Sequence, residues 1–205
     1  YQKSMLQLEN LLNGTDILLL SDEVYEHIIF DGLQHQTAAL FPGLFERAFI
    51  TGSFGKTFHN TGWKTGYWIA PEHLMHEFRK VHQFNVFSVN HPVQVGLASY
   101  LKDPNTYKSL GNFYQKKRDL FLELIKESKF TFKPSSGTYF QILGYEGVSE
   151  EGDFDFACRM TQQLKLASIP VSAFNTEGYD TKALRFCFAK TDDSLKKAAA
   201  ILNAI

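Results

Sequence analysis

An excess of charge of either sign is missing from this sequence: 21 lysines and arginines face 22 aspartates and glutamates, a formal net charge of −1 over 205 residues. So balanced a chain carries no electrostatic footprint for nucleic acid or for an anionic membrane. Cysteine is scarce. Cys158 and Cys187 are isolated from each other, each in an apolar stretch, which predicts buried free thiols and suits the reducing cytoplasm. Long apolar runs are absent too. The clearest is Ile17-Leu18-Leu19-Leu20, far short of a membrane span. The opening residues Tyr1-Gln2-Lys3-Ser4 lack the n-region and h-region of a signal peptide. They also lack an initiator methionine, so the chain is expected to begin partway through a longer protein. There is no internal repeat and no low-complexity linker.

What the chain does have is apolar mass: 44% hydrophobic residues and 19 phenylalanines, enough for one good core or two modest ones and for a Phe-rich subunit interface. Met5, Leu8, Leu11 and Leu12 share one face of a predicted helix over 4–13, with Gly14 as its stop. Apolar runs at 17–20, 48–51 and 65–70 read as strands, the first as one buried on both faces. Helices are expected over 72–86, 91–101 and 104–127. Strands at 131–133, 137–143, 169–172 and 184–188 follow, flanked by helices at 153–166 and 192–204. The fold class is α/β, with a second, α+β layer toward the C-terminus. Three buried-type strands do not complete a covered parallel sheet, so further strands are expected outside this sequence.

Three short segments carry chemistry: Ser21-Asp22-Glu23-Val24-Tyr25, Gly52-Ser53-Phe54-Gly55-Lys56 and Arg185-Phe186-Cys187-Phe188. Ligands of open α/β sheets bind beyond the carboxyl ends of strands. Asp22 and Ser53 each stand at such an end, so they are expected to face one pocket.

Asp22-x-x-Tyr25, Ser53-x-x-Lys56, Lys64 in Thr61-Gly62-Trp63-Lys64, and Arg185-Phe-Cys-Phe resemble, in order, the class I/II aminotransferases of fold type I. The run from Ser53 to Lys64 is most similar to the branch of methionine aminotransferases and kynurenine/glutamine transaminases. The resemblance covers the whole chain. It implies the C-terminal half of such an enzyme: residues 1–115 as part of the large, mostly parallel cofactor-binding domain, and 116–205 as the α+β small domain.

The resemblance also implies roles. Lys56 would hold pyridoxal 5′-phosphate (PLP) as a Schiff base and carry the substrate proton. Asp22 would keep the pyridine nitrogen protonated, and Tyr25 would donate to the ring oxygen. Ser53 and Lys64 would hold the phosphate, Lys64 as a point charge where many relatives have the arginine fork. Arg185 would pair with the substrate carboxylate. Phe87, in His82-Gln83-Phe84-Asn85-Val86-Phe87, would wall the neighbouring subunit's pocket in a homodimer, and Tyr139 would line the substrate side. The implied substrates are a 2-oxo acid and an amino acid such as methionine, glutamine or an aromatic. Cysteine-conjugate β-lyase chemistry, or a PLP-sensing regulator, would use the same scaffold. The phosphate loop, the ring-stacking aromatic and the asparagine segment of the family lie upstream of this start, so the chain alone is expected to bind PLP poorly and to be inactive.

Each residue also has a plainer reading. Lys56 alone would be a solvated lysine, Asp22 a turn cap, Arg185 a strand-edge ion-pair partner, and Tyr25 or Phe87 a core or interface aromatic. Other motifs fail. Ile50 stands where a P-loop needs glycine, and Thr51 where a nucleophile elbow does. His73, His76 and His82 lack the partners of a metal site. Glu23 and His27, at helical spacing, read as structural.

Overall fold

Helix α1 (Gln2–Leu12) stops at Gly14, whose φ of +73° is a left-handed conformation that glycine adopts without a steric penalty. In this computed structural model, which describes residues 2–205, Met5, Leu8 and Leu12 of α1 pack on Ala38, Phe41, Leu44, Ala48 and Ile50. Leu11 does not join them: it is exposed, because the helical rotation sets it beyond the edge of the Met5–Leu8–Leu12 stripe.

The chain divides into two compact units, Tyr1–Leu110 and Gly111–Ile205. In the first, β1 (Leu19–Asp22), β2 (Ala48–Ser53) and β3 (Gly66–Ile69) form one sheet in that order, with the short helix α2 (Pro42–Phe45) lying between β1 and β2 in the chain. β1 and β2 are parallel, with Asp22 opposite Thr51, whereas β3 runs antiparallel to β2, with Ser53 opposite Gly66. β1 starts two residues later than its apolar run and, among the described residues, pairs on one side only. Ile17, Leu18 and Leu20 are consequently exposed, against the expectation of a strand buried on both faces. The one-turn helix α3 (Phe54–Thr57) leaves β2 directly, and α4 (Glu72–Asn85) and α5 (His91–Tyr100) follow β3.

The single helix expected over 104–127 is two: α6 (Asn105–Lys108) and α7 (Leu110–Leu124). Ser109 Oγ donates to the Asn105 carbonyl at 2.8 Å, occupying the acceptor that a continuous helix would offer to the Ser109 amide.

The second unit holds β4 (Phe140–Gly144), α8 (Asp153–Leu164), β5 (Ile169–Pro170), β6 (Ala183–Cys187) and α9 (Asp192–Ala204). Its sheet is antiparallel, in the order β4-β6-β5. The strand expected at 131–133 is only a bridge between Thr131 and Gly144. Beyond it the buried Gln141 side chain takes over the pairing: its Nε2 donates to the Lys133 carbonyl at 2.9 Å, and its Oε1 accepts the Ser135 amide at 3.1 Å.

Candidate functional site

Parallel pairing puts the carboxyl ends of β1 and β2 at one end of the sheet: Asp22 pairs with Thr51, and Ser53 closes β2 two residues further on. Side chains alternate along β1: Leu19 and Ser21 are half-buried, Leu20 and Asp22 exposed, and Glu23, just past the strand, is buried. Asp22 is therefore presented outward, its Oδ1 accepting the Val24 amide at 3.3 Å. Ser53 caps α3. Its Oγ accepts the Lys56 amide at 3.3 Å, and its carbonyl accepts the Thr57 hydroxyl at 3.1 Å. Lys56 is thus fixed one turn beyond β2, with Nζ 6.0 Å from the centre of the Tyr25 ring. Among the described residues that ammonium has no hydrogen-bond or ion-pair partner.

Lys64 stands two residues before Gly66, the partner of Ser53 in the sheet, and is exposed beside a cleft lined by Gly52 and Tyr67. Its φ of +52° is left-handed, a strained backbone for a residue with a side chain and one of the marks of functional segments. Asp22, Tyr25, Ser53, Lys56 and Lys64 all belong to the first unit.

Behind Asp22 lies a polar network that the sequence did not announce. Glu23 Oε1 accepts the Ser21 hydroxyl and the Ala38 amide, both at 2.9 Å, and Oε2 meets His35 Nε2 at 2.7 Å. Residues 24–27 form a turn. Burial by itself would raise the Glu23 carboxyl. The hydrogen bonds, from His35 foremost, outweigh it and bring the pKa from 4.5 down to about 2. A depressed carboxylate stabilises the fold above its unfolded pKa, and that contribution disappears as pH falls through the folded value. Acid titration from pH 5 to pH 2 should therefore remove up to about 3 kcal/mol through this group. Urea unfolding at both ends of that range should show the loss in the native protein and a flatter profile in Glu23→Gln.

On the other side of the same turn, Glu26 accepts a short hydrogen bond from the Tyr67 hydroxyl. Burial, reinforced by Glu26, raises the Tyr67 phenol above its ordinary pKa. The His27 ring lies 4.8 Å from that of Tyr107, tilted against it, and burial pulls its pKa down.

Arg185 and Tyr139 lie in the second unit. The Arg185 guanidinium sits between the rings of Phe140, at 4.2 Å, and Phe174, at 4.6 Å. Its Nε is buried without a hydrogen-bond partner, and among the described residues no carboxylate pairs with it. Two aromatic faces thus hold the guanidinium, and the described residues offer it no anion. Tyr139 packs 4.8 Å from Phe140 and 5.8 Å from Tyr114, and its neighbour Thr138 has a left-handed φ of +63°. Phe87 follows α4 in the first unit, 83% exposed and with a left-handed φ of +65°. His73, His76 and His82 lie on α4, and no group of three or more metal-ligating side chains occurs among the described residues. Nor is any described helix long and apolar enough to cross a membrane.

The first unit thus carries a parallel strand pair ending in Asp22 and Ser53, with Lys56 one turn on and without a hydrogen-bond or ion-pair partner among the described residues. The chain belongs to the family of class I and II aminotransferases, whose family model matches residues 3–202. It is 43% identical to the methionine aminotransferase of Escherichia coli (strain K12) over 94% of its own length and 50% of that protein's. To the bovine kynurenine–oxoglutarate transaminase 3 it is 35% identical, over 100% of its own length and 50% of that protein's. Among solved structures, an Escherichia coli protein identified as having a methionine aminotransferase function superposes with a TM-score of 0.95 and 41% identity, over 100% of this chain and 55% of that one. The N-succinyldiaminopimelate aminotransferase of Mycobacterium tuberculosis gives 0.92 and 28%, over 100% and 54%. The fold is therefore that of the fold-type I aminotransferases, and the chain spans about half the length of the curated relatives it matches.

Proposed function

We propose that the protein to which this chain belongs is a PLP-dependent aminotransferase, moving the amino group of an amino acid onto a 2-oxo acid, with Lys56 as its cofactor lysine. The observation that carries this reading is the Lys56 ammonium, without a hydrogen-bond or ion-pair partner among the described residues, beside the Tyr25 ring at the strand ends that bear Asp22 and Ser53. The donor set fits PLP: a primary amine for its aldehyde, a carboxylate for its ring nitrogen, a phenol for its ring oxygen, and a hydroxyl with a second cation for its phosphate. When bound, PLP supplies an aldehyde that condenses with amines and a ring that takes up electron density from the substrate Cα.

The chain's own residues do the rest. Asp22 keeps a proton on the ring nitrogen by placing negative charge there. Tyr25 donates its hydroxyl hydrogen, Ser53 and Lys64 retain the phosphate, and Lys56 Nζ takes the proton from Cα. Arg185 receives the α-carboxylate, while Tyr139, and Phe87 across a homodimer interface, wall the side-chain pocket. The names of the relatives support methionine or an aromatic amino acid such as kynurenine as donor, and glutamine rests on the motif resemblance alone. The order of the motifs supports this chain as the C-terminal half, with residues 1–115 from the large domain and 116–205 as the small domain, inactive by itself. The two unpaired cysteines suit a cytoplasmic enzyme.

The test is chemical trapping in the full-length protein. Borohydride reduction after PLP loading, followed by peptide mass analysis, should find the pyridoxyl group on the peptide containing Lys56. Its appearance on another lysine, or on none, defeats the reading. Oxo-acid-dependent product, measured against pyruvate release, separates transamination from β-lyase action.

Arg185 yields a separate expectation. Removing a bidentate, charge-assisted partner costs about 2–3 kcal/mol, so Arg185→Ala should raise KM for the amino acid roughly 30- to 150-fold. Cofactor content, read from absorbance, should stay at the wild-type level.

A further inference from the structure

Two carboxylates flank Tyr25, and neither belongs to the donor set assigned above. Glu23 is buried and holds three segments at once: Ser21 at the end of β1, His35, and the Ala38 amide. Its own amide donates to the Thr51 carbonyl at 2.9 Å, carrying the β1–β2 pairing one residue beyond Asp22. Three residues later Glu26 binds the Tyr67 hydroxyl. Tyr67 packs at 5.2 Å on Phe54, the first residue of the helical turn that carries Lys56. A contact path therefore runs from the Tyr25 turn through Glu26, Tyr67 and Phe54 to Lys56. It exists because Gly52, opposite Tyr67 in the sheet, leaves room for the ring: a Cβ there would come within 2.1 Å of Tyr67 Cζ.

Buried carboxylates are costly unless fully paired, and apolar residues would fill the same space without that cost. We propose that Glu23 and Glu26 are positioning residues, two clamps on the 22–25 turn. Glu23, through His35 and Ala38, fixes the phase of the strand end so that Asp22 faces outward. Glu26, through Tyr67, fixes the spacing between Tyr25 and Lys56. The inference rests on the assignment of Lys56, Asp22 and Tyr25 to PLP. His27, 3.7 Å from Glu26, and Tyr107, whose ring is tilted 43° against it, are further titratable groups around the turn.

The experiment uses the full-length protein loaded with PLP, in wild type, Glu23→Gln, Tyr67→Phe and His35→Gln. It reads the pH midpoint of the visible cofactor band, the dissociation constant for PLP, and Tm. Tyr67→Phe keeps the ring on Phe54 and loses only the bond to Glu26. It should move the midpoint by about 0.5 unit or more and weaken PLP binding about fivefold, at temperatures well below its Tm. Glu23→Gln should move the midpoint in the same way. His35→Gln, whose side-chain amide still donates to Glu23, should keep it near the wild-type value. A lowered Tm with an unmoved midpoint in Tyr67→Phe overturns the clamp and leaves a merely structural role, and that variant decides if Glu23→Gln does not fold. A wild type with no visible band, or a Lys56→Ala protein that retains it, overturns the Lys56 assignment itself and the clamp with it.

Discussion

In the full-length protein, Lys56→Ala is expected to lower kcat by about 10³-fold or more while leaving Tm almost unchanged. The two halves of that expectation have different origins. The Lys56 ammonium makes no hydrogen bond or ion pair among the described residues, and its one aromatic contact is at 6.0 Å. The amide that Ser53 caps survives the substitution. Losing such a side chain costs the fold no more than about 0.5 kcal/mol. The rate, by contrast, depends on an amine that both bonds to the cofactor and accepts a proton. General-base transfer alone contributes roughly 10²- to 10⁴-fold. Lys56→Arg sharpens the test, because a guanidinium keeps the charge but does not deprotonate in proteins. If the role were only to supply positive charge, arginine would rescue the rate. If it is proton transfer and covalent bonding, arginine should be as inactive as alanine. An active Lys56→Arg enzyme would defeat the assignment, and denaturation curves of both variants would show whether the loss is chemical.

Much of this molecule was legible in the sequence where local signals were strong. The apolar runs that became β2 and β3, the Gly14 stop, and the helices beginning near residues 72, 91, 153 and 192 all rest on periodicity, caps or breakers. Asp22 and Ser53 were legible as strand-end residues, and they close β1 and β2 at the same end of the sheet. The errors came where a side chain captured a backbone group. Ser109 ends a helix by taking the Asn105 carbonyl, and Gln141 replaces a strand by bonding Lys133 and Ser135. Neither interaction has a local sequence signature, because serine and glutamine are equally common on solvated faces. The Glu23–His35 pair was hidden for another reason. It joins residues 12 positions apart across a loop, and single-sequence periodicity carries no information on such contacts. The apolar run at 17–20 was recognised as strand-forming, but its exposure depends on what lies beside β1, which a run of leucines does not encode.

The largest stability effect is expected at Gly66, where alanine should cost about 3 kcal/mol or more, a drop of roughly 6–12 °C in Tm for a chain of this size and less in a longer protein. A Cβ on Gly66 would lie 2.5 Å from the Gly52 carbonyl oxygen, and that oxygen belongs to the central strand of its sheet. Main-chain atoms on a central strand have no rotamer to change, so β2 and β3 would have to separate or slip in register. Gly52→Ala poses the complementary case. Its Cβ would fall 2.1 Å from Tyr67 Cζ, and Tyr67 is tethered through its hydroxyl to Glu26. The obstacle there is a side chain, which a second substitution can remove. Tyr67→Ala should therefore recover part of the stability lost in Gly52→Ala, a coupling that a double-mutant cycle measures directly. The same Tyr67→Ala change should do nothing for Gly66→Ala, whose clash is with backbone. Equal rescue of both glycine variants would mean that the strands, rather than the tyrosine ring, give way at this crossing, and that Gly52 is small for some reason other than the ring lying over it.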